Sequence, residues 1–441
     1  MMRMSVVVAK FGGSSLADAE QIMKMHSIVL SDENRRYVVP SAPGKRHNED
    51  VKVTDLFYAL YREPKKEGCG AYNAILKRFS KIRDDLGLDT DIEAHIAEIL
   101  VHLKEGAGED YAASRGEYLN GLLIADLLGY DFIDPAGYIF FKETGVYDHA
   151  KTAAALSAKL KKHERAVIPG FYGSLPDGTV KTFSRGGSDI TGSIVACAAG
   201  AALYENWTDV SGFLKADPRI VEHPKKIDTI TYRELRELSY MGATVLHEDA
   251  IFPVLEGAIP ICVKNTNNPD DPGTRIVPTL DTDPDAWTDE SITGIAGKKN
   301  FTVITIEKNG MNAEIGFGRK VLTCLETFDI PFEHIPSGID SLCVVIADCR
   351  MDGCSAQLID EIHRVCKPDS VEMSSNMALI ATVGRGMIRK VGISAKLFTA
   401  LAESGVNVRM IDQGSSEMNI IVGVENDDFE KAVRAIYDAL V

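Results

Sequence analysis

The chain has 441 residues, 45% of them apolar, enough to build about two or three cores rather than one. Its 48 Lys and Arg against 64 Asp and Glu leave a net charge of −16, which argues against a nucleic-acid partner but not against a locally basic pocket. No apolar run is long enough for a membrane span, and the stretch from Met1 to Ala9 reads as a first strand, not a signal peptide.

From Met1 to about Asn300, strand-like and helix-like runs alternate. Strands are expected at Val6–Ala9, Tyr37–Val39, Ala166–Gly170, Ala202–Trp207 and Ile259–Val263. Helices are expected at Ala19–Leu30, Thr152–Lys162, Ile190–Ala199 and Tyr232–Leu238. Such alternation predicts an α/β fold, a mostly parallel open sheet with helices on both faces. Residues 62–128 carry helical periodicity (Ile75, Phe79, Ile82; Ile92, Ile96, Ile99, Leu103) and read as a helical insertion or as extra crossover helices. Asp281–Glu290, rich in Asp, Thr and Pro, reads as a linker. Beyond it the order changes. Phe301–Ile306, Gly316–Phe328, Phe332–Ile335, Leu342–Ala347, Ser355–Val365 and Ala378–Val383 form one strand–helix–strand series. Gly392–Ser404, Val406–Ile411, Asn419–Val424 and Phe429–Leu440 repeat it. Two ferredoxin-like βαββαβ units fit this tail. The expected domains are 1–290, 291–370 and 371–441.

Eight cysteines stand at 69, 197, 262, 324, 343, 349, 354 and 366, with no Cys-x-x-Cys and no zinc spacing. They read as small apolar residues of a reducing compartment, so the expected location is cytoplasmic and no metal-ligating set is expected.

Three segments carry chemistry. Lys10-Phe11-Gly12-Gly13-Ser14-Ser15 joins the first strand to the first helix, a turn where backbone N–H groups and the helix dipole meet a phosphate. It has neither P-loop nor dinucleotide-turn spacing, and alone it is weak. Arg185-Gly186-Gly187-Ser188-Asp189 opens a helix; Asp189 is either a cap or the group that keeps Lys10 in register. Arg185 suits a bidentate carboxylate contact. Thr208-Asp209-Val210-Ser211-Gly212 ends a strand at the carboxyl edge of the sheet, where ligands of open α/β folds bind. Asp217-Pro218-Arg219 follows, a phosphate contact or a plain surface turn. Together they suggest an ATP-dependent kinase of a small acidic metabolite.

In this arrangement the chain resembles the aspartokinases of the amino-acid kinase superfamily. The resemblance rests on Lys10–Ser15, Val53-Thr54-Asp55-Leu56, Arg115-Gly116-Glu117, Gly170-Phe171, Ser184–Asp189, Trp207–Gly212, Asp217-Pro218-Arg219, Met241-Gly242-Ala243, Val245-Leu246-His247 and Lys264-Asn265-Thr266. The tail resembles the paired ACT regulatory domains of that family. The resemblance implies phosphorylation of the β-carboxylate of L-aspartate by ATP, the entry to lysine, methionine and threonine synthesis. It implies catalysis by Lys10 and Asp189. Aspartate would be held by Ser41, Thr54, Glu117, Arg185 and Ser188. ATP would be held by Lys10, Gly12, Gly13, Ser14, Thr208, Asp209 and Arg219, with Mg²⁺ carried mainly by the phosphates. Two departures stand out, Leu214 where tyrosine is usual and Thr244 where lysine is usual; Lys215 is a candidate for the missing charge. The loop Pro40–Arg46 is more basic and Pro-richer than the family pattern.

The resemblance also implies a homodimer through the ACT units, or a tetramer, and an amino-acid effector between subunits. Met311, Gly316, Phe317, Glu333 and Ser337 are the candidate effector residues, with lysine expected and threonine, alone or with lysine, left open. The chain ends straight after the second unit, so a monofunctional enzyme is expected. Two rivals remain at this stage: a kinase of glutamate, acetylglutamate or a nucleotide, and a catalytically inactive amino-acid sensor.

Overall fold

The structure is a computed structural model that describes residues 5–62, 68–184, 186–243, 246, 251–278, 291–414 and 416–441. The chain forms two compact units. One takes Met1–Phe213, Lys226–Leu235 and Thr244–Thr282; the other takes Leu214–Lys225, Arg236–Ala243 and Asp283–Val441. Two short segments expected within the domain 1–290 thus group with the second unit. The expected linker Asp281–Glu290 lies outside the described residues.

The chain opens with β1 (Val7–Phe11), α1 (Ala19–Leu30) and β2 (Arg35–Pro40). Asp18 caps α1 by accepting the Gln21 N–H at 3.0 Å. Four helices follow: α2 (Val53–Arg62), α3 (Gly70–Leu86), α4 (Ile92–Lys104) and α5 (Glu109–Leu128). Their apolar faces, including Ile75, Phe79, Ile96 and Leu103, form one core with α1 and with Ala9 and Phe11 of β1. Next come β3 (Asp131–Phe132), α6 (His149–Leu160), β4 (Ala166–Val167), the hairpin β5 (Tyr172–Ser174) and β6 (Val180–Thr182), α7 (Gly187–Ala199) and β7 (Leu203–Thr208). Then come β8 (Thr229–Thr231), α8 (Tyr232–Tyr240), α9 (Ile251–Glu256), β9 (Ile261–Asn265) and β10 (Thr274–Val277).

Eight of these strands form one sheet in the order β3-β4-β2-β1-β7-β9-β10-β8, parallel throughout except between β9 and β10. The expected strand Ala166–Gly170 stops at Val167 because Pro169 brings no N–H, although Ile168 and Gly170 still donate to Val38 and Pro40. Strand residues alternate faces. Ala9 and Phe11 enter the helical core, so Lys10 between them is turned to the opposite face, toward α7.

The second unit holds β11 (Gly294–Glu307), α10 (Phe317–Thr327), β12 (Ser341–Ala347), α11 (Ser355–Cys366), β13 (Ser370–Val383), α12 (Ile393–Glu403), β14 (Met410–Asp412), β15 (Asn419–Glu425) and α13 (Phe429–Leu440). Its strands make one antiparallel sheet, β12-β11-β13-β15-β14. β11 and β13 have 14 residues each and pair along most of their length. Ile304 and Ile306 pack in a core with α10 and α11, whereas Ile295, Ala378 and Ile380 pack in another with α12 and α13. The expected domains 291–370 and 371–441 are therefore not consecutive beads, because the start of β11 belongs to the later core. Where the cores meet, the register slips around Phe301, and Asn300 and Asn376 take φ of 72° and 68°, a conformation asparagine tolerates. The expected strand Phe332–Ile335 is instead a broken edge. His334 and Ser337 form isolated bridges to Val345 and Leu342, with Pro336 between them supplying no N–H.

Candidate active site

β1 and β7 are parallel neighbours with Lys10 opposite Asn206. The Lys10 Nζ lies against an Asp189 carboxylate oxygen and donates to Asn206 Oδ1 at 3.2 Å. Asn206 Nδ2 donates to the same Asp189 oxygen at 3.0 Å, which closes a triangle. Lys10 is buried and Asp189 nearly so. The capping role open to Asp189 from sequence is not taken. Gly186, at φ 74°, precedes α7 without any side-chain cap, and the Asp189 carboxylate points to Lys10 instead.

The Gly-Gly turn is built by backbone contact. Gly12 N–H donates to Trp207 O at 2.9 Å and Gly44 N–H to Gly13 O at 2.7 Å. A Cβ on Gly44 would lie 2.5 Å from the Gly13 carbonyl carbon, so no side chain fits there. Ser14, itself exposed, starts a 3₁₀ turn whose Ser15 and Leu16 are buried. Arg78 of α3 braces both loops, donating to Gly44 O at 2.5 Å, Ala17 O at 2.9 Å and Asp50 at 2.7 Å. Asp50 also takes the Arg46 fork at 2.8 Å, and these guanidinium bonds hold its carboxyl far below the usual range. Arg46 is thus spent on Asp50, and Lys45 donates to Asn48 O at 3.2 Å.

On the other side, α5 lies tight against the loop after β2. A Cβ on Gly116 would meet Ala42 Cβ at 2.9 Å and Val53 Cγ1 at 3.0 Å. This close approach sets Ala42 and Val53, the chain neighbours of Ser41 and Thr54, against the face of α5 next to Glu117. Asn120 Nδ2 donates to Ser41 O at 2.7 Å. Glu117 is buried, and burial raises its carboxyl to about 8 despite a bond from the Ala42 N–H. Among the described residues, its Oε2 and the Oδ1 of Asn120 have no hydrogen-bond partner. Arg115 does not pair with Glu117. Its guanidinium sits among Tyr111, Tyr118 and Tyr172 at 4.4, 4.7 and 5.0 Å and donates to Tyr111 O and Ser114 Oγ. Ser188, in the first turn of α7, packs on Gly170, where a Cβ would lie 2.6 Å from its Oγ. Arg185 and Thr244 lie outside the described residues.

Thr208 and Asp209 end β7, and the Thr208 hydroxyl donates to Asp209 at 3.2 Å. Arg219 is in the second unit, where both oxygens of Asp217 hold its exposed guanidinium, at 3.0 and 2.6 Å. Lys215 is buried in that unit and Leu214 exposed. Among the described residues no three His, Cys, Asp or Glu side chains converge as a metal-holding group.

At the candidate effector turn, Met311 and Phe317 are buried and Gly316, at φ 82°, precedes α10. Glu333 and Ser337 stand on the broken edge, Glu333 N–H donating to Val345 O at 2.8 Å. The amides of Asn309 and Gly310 are already taken by Asp369 and Asp340 at 2.7 and 2.8 Å, so neither is open to an effector carboxylate. Glu314 bridges Lys308 and Lys320.

Asn206, Arg78 and Asn120 were not singled out from the sequence. Only the pairing of β1 with β7 makes Asn206 visible, since it fixes Asn206 opposite Lys10.

Residues 5–265 match the Amino acid kinase family and residues 380–440 an ACT domain. The chain is 40% identical to Aspartokinase 3 of Bacillus subtilis (strain 168) over 98% of its own length and 97% of that protein. The crystal structure of Clostridium acetobutylicum aspartate kinase, at 54% identity, matches with a TM-score of 0.89 over 99% of this chain and 100% of that one. E. coli aspartokinase III matches in two crystal structures, each over 99% of both chains. Its complex with aspartate and ADP has 26% identity and a TM-score of 0.76; its complex with lysine and aspartate has 27% and 0.72. The chain therefore belongs to the aspartokinases of the amino acid kinase family, and its activity is that of an aspartate kinase.

Proposed function

We propose that the enzyme moves the γ-phosphoryl group of ATP to the β-carboxylate of L-aspartate at the site between the Lys10–Asp189–Asn206 triangle and Glu117. The observation that carries this is the buried, unpartnered Glu117 oxygen, an acceptor awaiting a cation such as the α-ammonium of an amino acid. The substrate carboxylate is ionised at neutral pH, so no general base is needed. Its oxygen forms the new bond to Pγ while the bond from Pγ to the β-phosphate oxygen breaks, releasing ADP and 4-phospho-L-aspartate. Lys10 meets the charge on the transferred group, and Asp189 orients Lys10. Ser41, Thr54 and Ser188 line the acid side, and Arg185 is assigned the substrate carboxylate on residue type alone. Gly12, Gly13 and Ser14 approach the phosphates, and Thr208 and Asp209 serve the nucleotide. A nucleotide role for Arg219 requires that it leave or share its fork with Asp217. With Asp189 already engaged by Lys10, the donor set fits Mg²⁺ carried mainly by the phosphates, where it would neutralise their oxygens.

We further assign this enzyme to the cytoplasm and to the entry of lysine, threonine and methionine synthesis. Lysine is its inhibitor, acting at Met311, Gly316, Phe317, Glu333 and Ser337 in a dimer made through the second unit. The E. coli complex with lysine and aspartate supports that choice of effector. The test is ADP release with and without aspartate, with lysine, threonine and methionine added singly and in pairs. Release independent of aspartate overturns the substrate; indifference to lysine overturns the effector. A Glu333→Ala variant with a wild-type lysine curve removes that contact, and a monomer in sedimentation removes the dimer.

A further inference from the structure

Asn206 sits in β7 at 2% exposure, in a strand covered on both faces. Such strands read as apolar runs, and a buried amide costs free energy unless its hydrogen bonds are made. Among the described residues its side chain has two partners, Lys10 and Asp189. Those partners fix the amide's orientation, because an ammonium only donates and a carboxylate only accepts. Oδ1 must face Lys10, and Nδ2 must face Asp189.

We infer that Asn206 is a positioning residue for phosphoryl transfer: its neutral amide locks the Lys10 ammonium and the Asp189 carboxylate in register without adding charge. The inference rests on the proposed role of Lys10. Neutrality is the point. One ammonium and one carboxylate cancel, whereas a second carboxylate at position 206 leaves the site net negative toward an incoming phosphate. Among the described residues, the charged groups facing position 206 are Lys10 from β1 and Asp189 from α7. Its neighbour on β9 is the apolar Val263, and the Tyr204 hydroxyl donates to Asp189 O at 3.1 Å.

A protonated carboxylic acid reproduces the amide, its C=O accepting from Lys10 and its O–H donating to Asp189. Asn206→Asp therefore restores the triangle when it gains a proton. Two carboxylates sharing one ammonium away from water hold that proton above the usual carboxyl range.

The test compares saturating kinetics of the full-length enzyme with Asn206→Leu, Asn206→Asp and Lys10→Met. Asn206→Leu should lower kcat about 10- to 100-fold, the scale of losing buried hydrogen bonds to charged groups. KM for aspartate and ATP should stay within about threefold, since an interaction made mainly in the transition state shows in kcat. For Asn206→Asp, kcat relative to wild type at the same pH should rise about tenfold or more from pH 8 to pH 6. A purely structural role predicts no such pH signature. Wild-type kcat in Asn206→Leu, or a flat ratio in Asn206→Asp, overturns the inference. If Asn206→Leu does not fold, the near-isosteric Asn206→Asp decides alone. If Lys10→Met keeps its kcat, the site reading fails and the inference with it. If Lys10→Met is crippled while both Asn206 variants are not, only the inference fails.

Discussion

Asp189 and Glu117 are two carboxylates of the first unit, both sheltered from water, and they are held in opposite ways. Asp189 lies against the Lys10 ammonium and takes the Asn206 amide. Among the described residues Glu117 has no cation in contact and one of its oxygens is unpartnered, and the guanidinium of Arg115, two residues before it on α5, is turned into a tyrosine cage. The phosphate side is thus neutralised by an ion pair, whereas Glu117 on the amino-acid side avoids the cost of a buried unpaired ion by keeping its proton, and it ionises when a cationic ligand arrives. Selectivity for a substrate with an ammonium group follows.

The comparison breaks most visibly at Glu117. Glu117→Ala should weaken aspartate by ~2–5 kcal/mol, the cost of removing one partner of a buried charged contact, with little change in KM for ATP. An equal rise in both constants would mark a structural lesion. Next in size is Lys10→Met, with kcat down about 10²–10³-fold, the effect of losing one transition-state electrostatic donor. Because Lys10 is buried and paired rather than a solvated strand-end lysine, the variant should also melt at lower temperature. Adding Asp189→Asn should then recover stability but not rate, which separates the structural half of the pair from the chemical half. A smaller effect is expected at Gly44→Ala, where overpacking against Gly13 costs ~1–3 kcal/mol of stability.

The last prediction concerns pH. With Glu117 raised to about 8, the free enzyme carries it largely protonated at pH 7, and the ammonium binds the ionised form. Aspartate affinity should rise about tenfold per pH unit up to about 8 and then level. Each binding event near pH 7 should release close to one proton, measurable by calorimetry in two buffers of different ionisation enthalpy. The sign for stability is the reverse. A carboxyl raised on folding makes the free enzyme lose stability as pH climbs from the ordinary carboxyl range to about 8, and aspartate should relieve that loss. A pH-independent affinity would show that Glu117 is already ionised when free.

Local patterns made much of this readable. The bounds of α1 follow from Asp18 and the apolar period, and Lys10 and Asp189 stand out as charges beside glycine pairs. Contacts that depend on register were not readable. Asn206 looks like a stray polar residue until β7 lies beside β1, and Arg78 looks like a surface cation of a helix until α3 packs over Gly44 and Ala17. The loop Pro40–Arg46 stands out as basic in the sequence, yet Arg46 is spent on Asp50. In the tail, the repeat of strand and helix was plain, but pattern alone does not show that one long strand serves two cores.

That shared strand means the first regulatory core is nested inside the second in the chain. The second core begins before β11, breaks off where Asn300 turns the backbone, and resumes after Asn376. Lys299 and Ala378 stand opposite one another on the paired strands. The inserted core therefore leaves and re-enters its host at adjacent points, as a loop does. A short turn joining those two residues would excise it and close the host as a hairpin, whereas a cut at residue 370 would strip the host of the β11 strand that pairs with β13.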